Sequence, residues 1–126
     1  MAEKDMSKAL TEVLRAFQGA APGLMGSAVV SADGFAIASE LPGSVEERRV
    51  SAMAAAMLAL GEQTANEFEH GGLERVFVEG AAGYTIVTSA GKDAVLAAIA
   101  AKNAKLGLIF LQMARTAEAV KEVMAG

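Results

Sequence analysis

The residue types that carry most catalytic and metal chemistry are scarce in this sequence. It has one histidine, His70, and no cysteine. A zinc site built from thiolate and imidazole ligands is therefore not expected, and a Ser-His-Asp triad would have to use His70 without a Gly-x-Ser-x-Gly segment to present its serine. His70 precedes two glycines at the predicted end of a helix, where a histidine can interact with the last carbonyl groups. We therefore assign it a structural role.

The segment closest to a phosphate-binding loop contains Gly91 and Lys92. A Walker loop needs a glycine five positions before Gly91, where this chain has Ile86, and a serine or threonine after the lysine, where it has Asp93. The sequence contains no Gly-x-Gly-x-x-Gly segment either. It predicts no nucleotide site, no metal and no cofactor.

Two acidic segments are candidates for acid–base chemistry. Glu46 and Glu47 are adjacent, so on a helix their side chains point about 100° apart and do not converge on one bond. They favour a helix start instead, where negative charge interacts well with the positive end of the helix. Asp33 stands beside Gly34 between two apolar runs, which is typical of a hairpin turn. The sequence therefore predicts a protein that is not an enzyme.

Charge and hydrophobicity exclude two further classes of partner. The formal net charge is −4 and no strong basic cluster is present, so nucleic acid is not an expected partner. The strongly apolar stretches, 50–61 and 96–101, are shorter than the roughly 20 residues that span a bilayer, which argues against direct membrane insertion. The charged beginning of the chain has no signal-peptide core, so we expect a cytoplasmic location. Closely spaced element signals across residues 1–126 indicate a single folded domain.

Patterns of apolar residues predict the order helix, two strands, helix, three strands, helix. The long second helix should run from Val45 to Glu69, and the last strand should cover 94–100. That strand has no polar residue, which is typical of a central strand buried on both faces. Five mostly antiparallel strands with helices on both faces make a three-layer α-β-α sandwich of the α/β class.

Two local signals specify how the first elements are joined. The Asp33-Gly34 pair suits a two-residue type I′ turn, which places Val30 opposite Ile37. Ser44 is followed three residues later by Glu47, which is the spacing of a capping box and predicts the start of the second helix. Both predictions fix the register of the chain around them.

The second helix is apolar on two sides. At about 100° per residue, one side carries the larger apolar residues and is expected to pack on the sheet; its members are Val50, Met53, Ala54, Met57, Leu60, Thr64 and Phe68. The opposite side carries Ala52, Ala55 and Ala59, where a solvent-facing helix would normally show charge. Alanine is the best helix former and tolerates exposure, so this run is compatible with a solvated face. It also permits close approach of a second helix, because small side chains let two backbones come together.

The strand around residues 74–79 favours the second interpretation. Its charged residues among valines are typical of an edge strand. An edge strand beside a helix with a small-residue side predicts a two-fold interface, in which the helices pack together and the two edges extend one sheet. We therefore predict a homodimer whose interface comprises Ala52, Ala55, Ala56, Ala59, Arg75, Val76, Phe77 and Val78.

Four segments resemble the Roadblock/dynein light chain family. They are "GSAVVSADGFAIAS", "VSAMAAAMLALGEQTANEF", "GGLERVFVEGAAGYTIVTSAG" and "NAKLGLIFLQMARTAEAVKEVM", and the resemblance runs from about Met6 to the end of the chain. Its signals are the Asp-Gly hairpin, a second helix rich in methionine and alanine, and "AKLG" opening the last helix. The resemblance implies a roadblock/profilin-like fold, a homodimer built from the second helix and the third strand, and no catalytic motif.

The function that the resemblance implies is regulation of a protein partner. Members from bacteria and archaea are regulators of small Ras-like GTPases, and eukaryotic members are dynein subunits or GTPase scaffolds on membranes. We therefore expect a homodimeric adaptor that binds a small Ras-like GTPase and modulates its GTPase cycle, contacting it through Glu46, Arg48, Arg49, Ala52 and Ala55. The alternative is a small-molecule-sensing or signalling scaffold module of the same fold without a GTPase partner, with any ligand held between sheet and helix.

Overall fold

A computed structural model describes residues 3–126. These residues form three helices and five strands in the predicted order. The elements are α1 (Glu3–Ala20), β1 (Leu24–Ser31), β2 (Ala36–Glu40), α2 (Glu47–Glu67), β3 (Val76–Gly80), β4 (Gly83–Ser89), β5 (Ala94–Ala101) and α3 (Leu106–Ala125).

The strands form one sheet in the order β2-β1-β5-β4-β3. Each neighbouring pair is antiparallel. The apolar strand β5 lies in the middle, and nearly all of its side chains are buried, which confirms the prediction for that segment. Strands β2 and β3 are the two edges, so β3 has an unpaired side within the described chain.

Helices cover both faces of the sheet and produce the predicted three layers. On one face α1 and α3 pack against each other and against the sheet, around a core that includes Leu10, Leu14, Phe17, Val29, Leu96, Ile109, Met113 and Val120. On the other face α2 alone packs over a smaller core that consists of Ala28, Val30, Ala54, Leu58, Val87, Val95 and Ala97. One helix covers less of a five-stranded sheet than two, so the α2 face is the more open one.

The turn between β1 and β2 differs from the predicted type I′ turn. The Gly34 amide donates to the Ser31 carbonyl at 2.9 Å, and only Gly34 in this turn has a positive φ, of 89°. This is a type I turn followed by a left-handed glycine, which adds one residue to the loop. Val30 therefore pairs with Ala36 and not with Ile37. Asp33 is a turn residue, as predicted.

The capping box predicted at the start of α2 does not form. The helix begins at Glu47, and its N-cap residue is Glu46, which makes no side-chain capping bond. Ser44 lies in the preceding loop, too early to serve as the cap. The Glu47 carboxylate instead accepts a hydrogen bond from the Ser39 hydroxyl, which ties the first turn of α2 to β2.

A Schellman motif ends α2 two residues before the predicted end. The His70 amide donates to the Ala65 carbonyl at 2.8 Å, and the Glu69 amide donates to the Asn66 carbonyl at 3.2 Å. The motif requires a left-handed residue, and Glu69 occupies that position with a φ of 55°. The His70 ring stacks on Phe68, with centroids 5.9 Å apart, in agreement with a structural role.

Replacing Glu69 by glycine is predicted to stabilise the protein. Glycine adopts the left-handed conformation without the steric cost that a Cβ atom brings, so Glu69→Gly should raise the free energy of unfolding by about 1 kcal/mol. Glu69→Ala is the matched control, because it removes the same carboxylate and keeps the Cβ. Urea denaturation at one fixed protein concentration measures both. Equal stability of the two variants would mean that the charge, and not the backbone, limits this helix end.

Candidate functional site

The side of α2 that packs on the sheet is rotated from the predicted one, although Ala54 and Met57 contact the core as expected. The buried residues of the helix are Ser51, Ala54, Leu58 and Ala65. Met53, Leu60 and Phe68 were expected on the sheet, but they are 57%, 64% and 66% exposed. The physical reason is that the sheet already supplies branched side chains beneath the helix, including Val30, Val87 and Val95, so small helix residues complete this layer.

Gly61 brings α2 close to the edge strand β3. A Cβ atom added at this position would overlap the Val76 Cγ2 atom and lie 3.1 Å from the Leu73 Cδ2 atom. Both of these side chains approach the helix from the β3 side of the sheet. The position of α2 relative to β3 therefore depends on the absence of a side chain at residue 61.

Large apolar side chains on α2 and β3 form an exposed surface that we call the apolar ridge, defined as Met53, Leu60 and Val78. The exposed fractions of these residues are 57%, 64% and 53%. A groove of about 360 Å³ is lined by Met53 and Val78 of the ridge, together with Met57 and Ile99. Large apolar groups exposed on one side of a protein are typical of a surface that another protein covers.

The open edge of β3 is apolar on both faces of the sheet. Residues on one face are Val76 and Val78, beside α2, whereas Phe77 points to the other face and contacts Phe110 of α3 at a centroid distance of 5.8 Å. The guanidinium of Arg75 also lies over the Phe110 ring, at 4.4 Å. The predicted interface residues 75–78 are therefore divided between the two faces.

The backbone of β3 offers a second set of unused contacts. Gly80 and Gly83 close a two-residue hairpin loop, so they form a hydrogen-bonded pair. Hydrogen-bonded pairs alternate along an antiparallel ladder, so Val76 and Val78 bond to β4 and the amide and carbonyl groups of Phe77 and Glu79 face the open edge. These groups are available to a further strand.

Lys102 holds the end of this edge strand in place. Its ammonium group donates to the Glu79 carboxylate and, at 3.2 Å, to the Gly80 carbonyl, and it lies 4.6 Å from the centre of the Tyr84 ring. The hydrogen bond to Glu79 raises the pKa of Lys102 above its ordinary value of 10.5. These contacts of Lys102 link the loop between β5 and α3 to β3.

The predicted interface alanines are neighbours on α2 but do not all lie on one flank. Ala56 is exposed on the outward side of α2, near Met53 and Leu60 on the helical wheel. Ala52, Ala55 and Ala59 lie on the flank that faces away from β3, and we call these three residues the alanine flank. Ala56 therefore lies between the apolar ridge and the alanine flank.

The alanine flank packs near the β1–β2 turn. A Cβ atom added at Gly34 would lie 3.4 Å from the Ala52 Cα atom and 3.8 Å from the Ala55 Cβ atom. The small residues at 52 and 55 thus accommodate a turn of the same chain. This contact was not predicted, because nothing in the periodicity of the helix indicates which loop approaches it.

The charged residues at the start of α2 are exposed. Glu46 and Arg49 form an ion pair at 3.3 Å, which contributes little to stability because both side chains are solvated. Arg48 has no ion-pair partner among residues 4–126 and precedes Ala52 by one helical turn, so it extends the alanine flank. Among the predicted partner-binding residues, Arg48, Ala52 and Ala55 share one side of the helix.

The described residues contain no group of three or more His, Cys, Asp or Glu side chains that could hold a metal ion. None of the helices within residues 3–126 is long and apolar enough to cross a membrane. The candidate functional site is therefore the surface formed by α2 and β3.

Comparison with solved structures shows the class of fold. The Roadblock/LC7 domain from Streptomyces avermitilis superimposes with a TM-score of 0.85 at 20% identity, over 92% of this chain and 98% of that chain. Myxococcus xanthus MglB gives a TM-score of 0.87 at 18% identity, over 99% of this chain and 93% of that one. Profilin II from Acanthamoeba castellanii gives a TM-score of 0.60 at 15% identity, over 90% of this chain and 95% of the profilin. The fold is the predicted roadblock/profilin-like sandwich.

Sequence comparison then shows the family. Two uncharacterized proteins of Methanocaldococcus jannaschii are similar along most of their length. MJ1340 is 43% identical over 99 residues, 79% of this chain and 86% of MJ1340, and MJ0714 is 37% identical over 121 residues, 96% of this chain and 98% of MJ0714. The Roadblock/LC7 domain model matches residues 10–100. The chain belongs to the Roadblock/LC7 domain family, which confirms the resemblance seen in the sequence.

Substitution of Gly61 tests the close contact between α2 and the Val76 side chain of β3. Replacing glycine by alanine inside a helix ordinarily stabilises it by about 0.5–1 kcal/mol. At Gly61 the new methyl group meets the stiff Val76 side chain, so Gly61→Ala should lower the free energy of unfolding by about 1 kcal/mol.

Gly107 in α3 is the matched control, because an added Cβ there has no atom within 4 Å. Gly107→Ala should raise the free energy of unfolding by about 0.5 kcal/mol. Denaturant titrations at one protein concentration compare the two variants. A gain at both positions would contradict the close contact between α2 and β3.

Proposed function

We propose that this protein is a non-catalytic homodimeric adaptor that binds a small Ras-like GTPase and modulates its GTPase cycle in the cytoplasm. Membership of the Roadblock/LC7 family supports the class of function. The main support for a dimer is the open edge of β3, which has exposed apolar side chains on both faces of the sheet. An isolated edge strand with such surroundings is a site for pairing with another chain.

The dimer forms by antiparallel pairing of two β3 strands around a two-fold axis. The outward backbone groups of Phe77 and Glu79 bond to their equivalents in the second copy, so the two sheets become one. The α2 helices then lie side by side on the same face, and each covers the apolar ridge of the other. Relative to the predicted interface, Ala56 and residues 75–78 are retained, and Met53 and Leu60 are added.

The alanine flank has a different role in this arrangement. Ala52, Ala55 and Ala59 face away from β3, so they remain accessible after dimerisation. Arg48 and the 71%-exposed Phe35 of the β1–β2 turn lie on the same side of the molecule. Small side chains with a cation and an aromatic ring nearby suit contact with the backbone of a partner. We assign this surface to the GTPase, whose switch loops it holds in position without donating a catalytic group.

Leu60→Glu is predicted to break the dimer. An unpaired charge buried at the interface costs about 3 kcal/mol, and two-fold symmetry doubles this to about 6 kcal/mol, which weakens association roughly 10⁴-fold. Ala59→Glu is the matched control, since the same charge on the next residue lies on the alanine flank and should leave the dimer intact. Sedimentation velocity distinguishes the two variants. A monomeric Ala59→Glu beside a dimeric Leu60→Glu would place the interface on the alanine flank instead.

Charge changes on the alanine flank should weaken GTPase binding while leaving the dimer intact. Arg48→Glu removes a cation and Ala52→Glu adds a bulky charge at the contact, so each should lower affinity at least about tenfold. Arg115→Glu on α3 is the control, and it should bind normally. The GTPase is isolated by affinity capture from the source cell, and its affinity and GTP hydrolysis are measured with each variant. Failure to recover a GTPase, together with unchanged hydrolysis by added protein, would contradict the proposal.

A further inference from the structure

A cleft of about 230 Å³ lies at the end of the sheet where the β1–β2 turn meets the β4–β5 turn. One wall is the inner part of the alanine flank, Ala55 and Ala59, and the opposite wall is the β4–β5 turn at Gly91 and Lys92. The cleft is on the far side of α2 from the apolar ridge. It therefore stays open whether or not the dimer forms.

The floor of the cleft is apolar and consists of buried residues. Leu58, Ala94 and Val95 form it, and they are 8%, 3% and 2% exposed. The turn beside them is also ordered by an internal bond, because the Ser89 hydroxyl donates to the Gly91 carbonyl at 2.8 Å. A preformed apolar floor lowers the entropic cost of holding a small ligand.

Two opposite charges stand at the rim of this cleft. Glu62 projects from α2, and Lys92 projects from the β4–β5 turn. Neither is ion-paired with any residue of the described chain. A carboxylate and an ammonium group above one apolar floor are complementary to a ligand that carries an ammonium group, a carboxylate and an apolar body.

We propose that this cleft binds a small zwitterion with an apolar body, namely a free aliphatic or aromatic amino acid. The ammonium group of the ligand pairs with Glu62, its carboxylate pairs with Lys92, and its side chain lies on Leu58 and Val95. A ligand with only one charge leaves the other rim group without a partner, so the two charges together select the zwitterion. The alanines at 55 and 59 leave the volume that the ligand side chain needs.

Titration with L-leucine and two single-charge analogues tests the selection directly. The analogue 4-methylpentanoate keeps the carboxylate and the branched chain, and 3-methylbutylamine keeps the amine and the branched chain. We expect L-leucine to shift the amide resonances of Ala59, Gly91 and Lys92 in two-dimensional NMR spectra of the full chain. Each analogue should bind at least about tenfold more weakly, because one charge-assisted contact is lost.

Three variants connect the binding to the named groups. Glu62→Gln and Lys92→Met should each weaken L-leucine binding about tenfold, and Glu62→Gln should leave the binding of 4-methylpentanoate unchanged. Ala59→Leu fills the cleft without altering a charge and should abolish binding. Glu67→Gln, on the same helix but outside the cleft, is the control and should bind L-leucine normally.

Several results would overturn the proposal. One is the absence of shifts at the cleft with L-leucine and with L-phenylalanine at millimolar concentration. Another is equal binding of L-leucine and its single-charge analogues, which would reduce the cleft to a nonselective apolar surface. Unchanged binding by Lys92→Met or Glu62→Gln would also exclude the assigned contacts. A folded spectrum for each variant shows that any loss of binding is local.

Discussion

The close packing of α2 on the sheet is the contact on which the rest of this structure depends. Ser51 and Ala54 turn small side chains toward the sheet and Gly61 has no side chain, so the helix lies near the strands, with Leu58 as a larger residue buried between them. Met53 and Leu60 of the same helix are consequently displaced outward. Large apolar residues exposed on one side of a helix are typical of a surface that another protein covers.

The two flanks of α2 therefore differ in chemical character. The flank beside β3 carries the apolar ridge and continues into an open strand edge, which together suit a second copy of the chain. The other flank is lined by alanines, accommodates the β1–β2 turn, and borders a cleft with charges of both signs. In the proposed dimer, the separation of these surfaces leaves each copy with a free side for a partner or ligand.

The order of the elements was predictable because each carries a strong local signal. The apolar run 94–100 identified the central strand, and the charged residues around Arg75 identified an edge. The rotation of α2 was not predictable, since both sides of this helix are apolar and periodicity does not tell which one meets the sheet. The valines on the strands beneath the helix determine which side meets the sheet, and they are distant from α2 in sequence.

The type of the β1–β2 turn was not predictable for a related reason, because Asp-Gly is compatible with both a two-residue and a three-residue loop. Of the candidate site, the helix and the edge strand were recognised, but their grouping into two flanks required the structure.

The proposed dimer depends on the pairing of two β3 edges. Amide hydrogen exchange at two protein concentrations, one well above and one well below the dimer dissociation constant, tests it at single residues. Pairing predicts that the amides of Phe77 and Glu79 are protected in the concentrated sample and exchange rapidly in the dilute one, whereas those of Val76 and Val78 stay protected by β4 in both. Rapid exchange of Phe77 and Glu79 at every concentration, in a sample that sediments as a dimer, would contradict it.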